Sequence, residues 1–103
     1  MDAAPTRVLV VDDHALFRDG LISLLGRWNE FEVVGSASDG AEAVRLARRL
    51  KPDLVLMDVR MEGVGGVEAT RQITAAEPHP RIAMLTMSNL GEDVFEALRC
   101  GAH

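Results

Sequence analysis

Three acidic side chains stand directly after short apolar runs of this sequence, where they could share one site. Asp12 and Asp13 follow the run 8–11, and Asp58 follows the run 54–57. Two like charges about 4 Å apart repel by about 1 kcal/mol in water and by about 4 kcal/mol at an effective dielectric constant of 20. If the two runs are neighbouring strands, the three carboxylates need protonation or a cation, and a divalent metal ion is the simplest solution.

The residue types predict Mg²⁺ (or Mn²⁺) rather than zinc as that ion. Carboxylate and backbone oxygens are hard ligands, and the sequence has no His or Cys cluster at metal-binding spacing. His14 is expected to begin a helix rather than to bind metal. Beside a metal ion, a carboxylate can attack phosphorus and form an acyl phosphate. The new dianion needs hydrogen-bond donors, and Thr86, at the end of the last strand-like run, could supply one.

These residues must be positioned by the elements that the rest of the sequence predicts. Strand-like runs lie at 8–11, 31–37, 54–57 and 82–86, and the short, non-alternating ones suit strands that are covered on both faces. Helical patterns follow these runs at about 17–28, 40–50, 66–76 and 92–99. The alternation predicts an α/β fold, a doubly wound parallel sheet with helices on both faces. In such a fold the working site lies at the carboxyl ends of the strands, where the three acids stand.

Two helices carry more specific signals. The first has an apolar stripe made of Phe17, Leu21, Leu24, Leu25 and Trp28. The second begins with Asp39 followed by Glu42, which is a capping-box-like start. The stripe is typical of a helix that packs one face against a sheet, and the capping pattern marks where the second helix begins.

Composition indicates one globular domain and excludes several function classes. The chain has 103 residues, of which 48% are hydrophobic and 26% charged, with a formal net charge of −5. The negative charge argues against direct nucleic-acid binding by this stretch. No run is long enough for a membrane span, the N-terminus does not resemble a signal peptide, and a single cysteine, Cys100, fits a reducing compartment. We therefore expect a cytoplasmic protein without membrane contact.

Three motifs resemble the receiver domain of bacterial two-component response regulators. Val8-Leu9-Val10-Val11-Asp12-Asp13-His14 is similar to the acidic-pair motif, Lys51-Pro52-Asp53-Leu54-Val55-Leu56-Met57-Asp58 to the phosphoacceptor strand, and Leu85-Thr86-Met87-Ser88-Asn89 to the switch segment. The acidic pair with His14, the switch segment and the ending at His103 look most like the NarL/FixJ type. The resemblance implies a flavodoxin-like fold with strand order 2-1-3-4, over residues 1–103.

The resemblance also implies a role for each site residue. Asp58 would accept a phosphoryl group from the phosphohistidine of a sensor histidine kinase. Asp13 and Asp58 would bind Mg²⁺ directly together with the backbone carbonyl of Arg60, and Asp12 would act through a water molecule. Thr86 would hydrogen-bond the phosphoryl group.

The consequence of phosphorylation is implied by the same family. Movement of the switch hydroxyl would reshape the face around the helix at about 92–99. That change would control an output domain, which in the NarL/FixJ type is usually a LuxR-type helix-turn-helix for transcription regulation. Such a protein is a phosphoprotein of signal transduction and not a turnover enzyme on external substrates, although it catalyses its own phosphorylation and dephosphorylation.

The sequence departs from the family pattern at its end. The family uses a lysine at the end of a fifth strand, and neither that strand, the fifth helix nor an output domain occurs within these 103 residues. Lys51 cannot substitute, because seven residues at about 3.3 Å each place it roughly 23 Å from Asp58. We therefore expect a C-terminally incomplete receiver domain with impaired phosphorylation. An open edge at the run 82–86 predicts a homodimer or a segment-swapped oligomer.

Smaller departures surround the site without removing a catalytic group. The loop after Asp58 has several glycines where the family usually has Met-Pro-Gly, and Glu62 adds a negative charge there. Met87 is larger than the usual neighbour of the switch hydroxyl and could narrow access to Asp58. Together with Ser88, these residues are expected to modulate the site.

Three other functions have less support in the sequence. A haloacid-dehalogenase-like hydrolase would need an acid two residues after its nucleophile, where this sequence has Arg60 after Asp58 and His14 after Asp12. A phosphorylation-independent interaction module fits the absence of the family lysine but not the intact acidic trio. Nucleotide or flavin binding lacks a glycine-rich loop after the first strand.

Overall fold

A computed structural model describes residues 4–58, 66–75 and 79–85 of the chain. Strands and helices alternate along these residues: β1 (Thr6–Val11), α1 (Ala15–Leu25), β2 (Phe31–Ala37), α2 (Gly40–Leu50), β3 (Leu54–Asp58), α3 (Gly66–Thr74) and β4 (Arg81–Leu85). The predicted α/β alternation is confirmed. The helix predicted at about 92–99 lies outside the described residues.

The strands form one parallel sheet in the order β2-β1-β3-β4. This is the strand order that the family resemblance implies. The chain runs from β1 to β2 on one side and then crosses to β3 on the other side of β1, so the order reverses between β1 and β3. In open α/β sheets the ligand site lies outside the carboxyl ends of the strands at such a reversal.

The two central strands are covered on both faces, as their unbroken apolar runs predict. All residues of 8–11 and 54–57 expose 1% or less of their surface. Alternate residues enter two clusters on opposite faces of the sheet, one including Leu9 and Val55 with α2 and α3, the other including Val8 and Leu54 with α1. Burial on both faces fixes the register of β1 against β3 and therefore fixes what stands at their ends.

Helix α1 is shorter than the apolar stripe predicts. It ends at Leu25, with Gly26 at its C-terminal cap, so Trp28 lies beyond the helix. Trp28 still packs against the cluster on this side of the sheet, and its ring makes an edge-on contact with Phe31 at 6.0 Å between centroids. Glycine is a poor helix former, and the helical spacing of Trp28 reflects shared burial rather than a continuous helix.

Helix α2 has the predicted bounds and a capping arrangement close to the predicted one. Asp39 Oδ1 accepts a hydrogen bond from the backbone N–H of Glu42 at 2.8 Å. Glu42 Oε1 accepts in turn from the backbone N–H of Ser38 at 2.8 Å, one residue before the partner that a capping box uses. At the other end, Lys51 adopts a left-handed conformation with φ of 49° and ends the helix.

Helix α3 packs through Ala69 and Ile73 in the cluster that also holds α2. It ends at Thr74, two residues before the predicted end. On its exposed side, a hydrogen bond from Arg71 to the carboxylate of Glu68 lowers the pKa of Glu68, and a second one from Gln72 acts in the same direction. This pair is exposed and adds little to stability.

Candidate functional site

The acidic pair stands where β1 leaves the sheet. The backbone N–H of Asp12 donates to the carbonyl of Ala37 at 3.1 Å, which continues the pairing of β1 with β2 by one residue. The side chain of Asp12 exposes only 1% of its surface, whereas that of Asp13 exposes 24%. The sheet therefore holds one carboxylate inside the molecule and presents the next one partly to solvent.

Hydrogen bonds from the start of α1 fix the loop that carries this pair. Asp12 Oδ1 accepts from the backbone N–H of His14 at 2.7 Å. The guanidinium of Arg18 donates to the backbone carbonyl of Asp12 at 2.8 Å. Burying a carboxylate is costly unless hydrogen bonds or cations compensate it, and the N–H of His14 and the nearby charge of Arg18 provide part of that compensation.

His14 begins α1, as predicted, but its side chain does not cap the helix. The structure shows no side-chain cap hydrogen bond from this residue. Its Nδ1 atom lies 2.9 Å from Asp13 Oδ1 and 3.4 Å from Asp12 Oδ1. One ligand atom from each of Asp12, Asp13 and His14 lies within 4.8 Å of the others. The imidazole therefore lies at the site, although the sequence predicts only that His14 begins a helix.

Arg18 also contacts the site, although the sequence pattern does not predict this contact. Its signal was available, because Arg18 follows Asp12 by six residues and lies one turn after His14, where the helix is expected to begin. The helical pattern could not show which way the side chain turns. The structure shows that it folds back toward the strand end rather than into solvent.

The backbone of Asp58 lies beside the acidic pair. Val11 of β1 is the register partner of Met57 of β3. Asp12 is the residue after Val11 and Asp58 is the residue after Met57, so the two aspartates follow the same matched pair. Neighbouring strands lie about 4.8 Å apart. On its other side, Asp58 is the register partner of Leu85, the last residue of β4.

Other residues predicted for the site fall where the structure gives no description. Arg60, Glu62, Thr86, Met87 and Ser88 lie outside the described residues, so their roles stay predictions. Lys51 is described, and it stands at the end of α2, before β3 begins. It is therefore at the opposite end of β3 from Asp58, as the spacing predicts.

The donor set at the end of β1 fits a divalent cation. Asp12 and Asp13 offer carboxylate oxygens on adjacent residues, held in place by β1 and the first turn of α1. Carboxylate oxygens are the ligands that Mg²⁺ prefers in proteins, usually with several water molecules completing the octahedron. Asp13 is partly exposed, which leaves room for such water.

A parallel sheet of order 2-1-3-4 with an acidic pair at its topological switch point defines a flavodoxin-like domain with a candidate cation-binding site. Comparison with known families is more specific, because the model of the family described as "Response regulator receiver domain" matches residues 8–103. The chain belongs to this family. Membership of this family does not favour the three alternative functions, which are a haloacid-dehalogenase-like hydrolase, a phosphorylation-independent interaction module and a nucleotide- or flavin-binding protein.

Individual relatives place the chain in the NarL/FixJ type. It is 46% identical over 96 residues to the transcriptional regulatory protein LiaR of Bacillus subtilis, a match that covers 93% of this chain and 46% of LiaR. The chain thus spans less than half the length of that relative. Within the described residues, no helix is long and apolar enough to cross a membrane.

Solved structures agree with this placement. The receiver domain of the putative response regulator NarL from Mycobacterium tuberculosis superposes with a TM-score of 0.78 at 34% identity, covering 96% of this chain and 80% of that one. A two-component response regulator of the LuxR family from Aurantimonas superposes with a TM-score of 0.76 at 41% identity, covering 90% of this chain and 69% of that one. Both sequence identities are above the level at which a structural match shows only a shared fold.

Proposed function

We propose that this chain accepts a phosphoryl group on Asp58 from the phosphohistidine of a sensor histidine kinase, with Mg²⁺ (or Mn²⁺) bound at the acidic pair. The observation that carries the proposal is the register of β1 and β3, which brings the backbone of Asp58 to the acidic pair. In the transfer, the bond between phosphorus and the histidine nitrogen breaks, and a bond between phosphorus and a carboxylate oxygen of Asp58 forms.

The residues around Asp58 have separate tasks in this proposal. Asp13, Asp58 and the backbone carbonyl of Arg60 would hold the metal ion, and Asp12 would act through a water molecule. When bound, the ion supplies positive charge that offsets the phosphoryl oxygens. Thr86 donates a hydrogen bond to a phosphoryl oxygen. Its movement then changes the face around residues 92–99.

The surroundings of the site tune these steps. Glu62 adds a negative charge to the loop after the phosphoacceptor, while Met87 and Ser88 follow the switch hydroxyl in the sequence. Lys51 cannot reach a phosphoryl group on Asp58, because the two residues stand at opposite ends of β3. We therefore expect slower or shorter-lived phosphorylation of these 103 residues than of a chain extended to include the family lysine.

The downstream partner is an output domain that binds DNA. LiaR is a transcriptional regulatory protein, and the Aurantimonas protein is a LuxR-family regulator. Phosphorylation of Asp58 would then control a LuxR-type helix-turn-helix in a full-length cytoplasmic protein. The receiver itself carries a net charge of −5, which disfavours direct contact with nucleic acid.

A second copy of this chain is a further proposed partner, bound through β4. Within the described residues, β4 pairs with β3 on one side and with no strand on the other. An unpaired strand edge is a template for pairing with a second chain. Sedimentation velocity over a range of protein concentrations is expected to show a homodimer or segment-swapped oligomer, and a monomer at the highest concentration would contradict this expectation.

Phosphorylation is tested by incubating the purified protein with a small acyl phosphate and Mg²⁺, followed by intact-mass spectrometry. We expect one added phosphoryl group that hydroxylamine removes, because hydroxylamine cleaves acyl phosphates. The adduct should be absent without Mg²⁺ and absent from Asp58→Asn.

Asp53→Asn is the matched control, because Asp53 precedes the same strand at its opposite end. Asparagine there keeps an oxygen that can accept the 2.9 Å hydrogen bond from the backbone N–H of Arg7. This variant should be phosphorylated like the parent. An unchanged adduct in Asp58→Asn would overturn the proposal, and partner binding that Asp58→Asn leaves unchanged would favour the phosphorylation-independent interaction module.

A further inference from the structure

His14 contacts the proposed metal site in a way that its role at the start of α1 does not require. It occupies the N-terminal cap position, yet its side chain makes no cap hydrogen bond. The ring instead faces both carboxylates, with Nδ1 at 2.9 Å from Asp13 Oδ1 and at 3.4 Å from Asp12 Oδ1. The helix would therefore lose no capping bond if this nitrogen took another partner.

These separations match the distances between ligand atoms around one metal ion. Ligands about 2.1 Å from an octahedral ion and at right angles to each other lie about 3.0 Å apart. In a tetrahedron of similar bond length the separation is about 3.4 Å. One ligand atom from each of Asp12, Asp13 and His14 could thus enter one coordination shell after small movements. The side chain of His14 is 57% exposed, so an arriving ion can reach it.

An imidazole ligand changes which ions a site prefers. Mg²⁺ favours oxygen ligands and gains little from a ring nitrogen, whereas the later first-row metals bind imidazole well and more tightly in the order Mn²⁺, Fe²⁺, Co²⁺, Ni²⁺. To bind a metal, the neutral ring must carry its proton on Nε2, which leaves the Nδ1 lone pair available.

We propose that His14 determines the metal specificity of this site, with its Nδ1 ligating later first-row cations such as Co²⁺ while Mg²⁺ is held by oxygen ligands. The inference rests on the proposed function, because it assumes a cation at the acidic pair. It adds a nitrogen ligand to the oxygen ligands of the proposed site, which raises the affinity for transition metals without contributing to Mg²⁺ binding. The same side chain therefore sets how strongly these metals compete with Mg²⁺ for the receiver.

The test measures Co²⁺ binding by visible absorption and Mg²⁺ binding by calorimetry, in the parent and in His14→Ala. Loss of a ligand should weaken Co²⁺ binding by about tenfold or more, since even residues that only support a ligand contribute 10–100-fold to metal affinity. Mg²⁺ affinity should change much less than Co²⁺ affinity does, and excess Mg²⁺ should displace the Co²⁺. His79→Ala is the matched control, because His79 is exposed and its Nδ1 lies near the carbonyl of Pro80.

Co²⁺ affinity that is equal or higher in His14→Ala would overturn the inference, because the ring would then only hold Asp13. A second measurement uses the parent alone and does not depend on the folding of a variant. The proton NMR spectrum of the Co²⁺-loaded protein should contain a strongly shifted, carbon-bound imidazole proton, which does not exchange with solvent and which excess Mg²⁺ removes. Its absence would also overturn the inference.

The two proposals fail in different ways. One outcome is normal Mg²⁺-dependent phosphorylation together with a Co²⁺ affinity that is the same in the parent and in His14→Ala. That outcome would reject only the proposed role of His14 in metal specificity. Loss of Mg²⁺ binding and of phosphorylation in the parent would reject the proposed function itself.

Discussion

Arg18 brings a positive charge to the strand end that carries two carboxylates. Its guanidinium donates to the carbonyl of Asp12 at 2.8 Å, and its own helix follows directly after the acidic pair. A buried carbonyl that loses its donor pays a desolvation cost, and a hydrogen bond from a charged group contributes about 1.5–3 kcal/mol. Arg18 is therefore expected to stabilise the loop in the metal-free protein.

Arg18→Ala should lower the free energy of unfolding by about 1–3 kcal/mol, measured by urea denaturation without metal. Arg45→Ala, on the exposed side of α2, is the control and should change it by less than about 0.5 kcal/mol. Equal unfolding midpoints for the two variants would show that the contact with Asp12 contributes nothing to stability.

At the scale of the element, α1 and β2 each contain a glycine whose surroundings differ. A methyl group at Gly20 in the middle of α1 would meet no atom within 4 Å. At Gly35 in β2 it would lie 2.8 Å from Leu50 Cδ1 and 3.5 Å from Leu9 Cδ1. The first position offers open space, and the second is where α2 packs closely on the sheet.

The two glycine-to-alanine substitutions should act in opposite directions. Gly20→Ala should raise the free energy of unfolding by about 0.5–1 kcal/mol, because alanine loses less backbone entropy in a helix. Gly35→Ala should lower it by about 1 kcal/mol, since the end of Leu50 must move. Thermal and urea unfolding of both variants measure these effects, and a stabilised Gly35→Ala would show that α2 packs more loosely than described.

At the scale of the whole molecule, two clusters on either side of the sheet hold the strand ends in register. Leu9 is fully buried in the cluster under α2 and α3, whereas Leu16 on α1 is 88% exposed. A leucine-to-alanine substitution at each of these two positions therefore measures the effect of burial with the residue type held constant. Movement of β1 within the core would also displace Asp12 and Asp13.

Leu9→Ala should destabilise the protein by about 2–5 kcal/mol through lost burial and a cavity. Leu16→Ala should change stability by less than about 0.5 kcal/mol. Chemical denaturation gives both values. If Leu9→Ala folds, its Mg²⁺ affinity should also fall, and a large loss in Leu16→Ala instead would indicate that this leucine is covered in solution.

Much of the fold was predictable because burial leaves a direct pattern in the sequence. The runs 8–11 and 54–57 are apolar without alternation, since helices cover both faces of their strands. Asp39 and Glu42 mark the start of α2 through local hydrogen bonds. Trp28 was assigned to α1 wrongly, because a helical spacing cannot distinguish a helix from a following turn that packs into the same cluster.

The sequence by itself determined the α/β alternation, the buried central strands and the acids at their carboxyl ends, because each of these follows from residue type and local spacing. Only the tertiary structure decided that the ring of His14 turns to both carboxylates and that Arg18 reaches the carbonyl of Asp12. Such orientations depend on how α1 packs against the end of β1. A sequence pattern specifies the helical face of a residue, but the direction of a polar side chain at a helix start is set by partners that folding brings within reach.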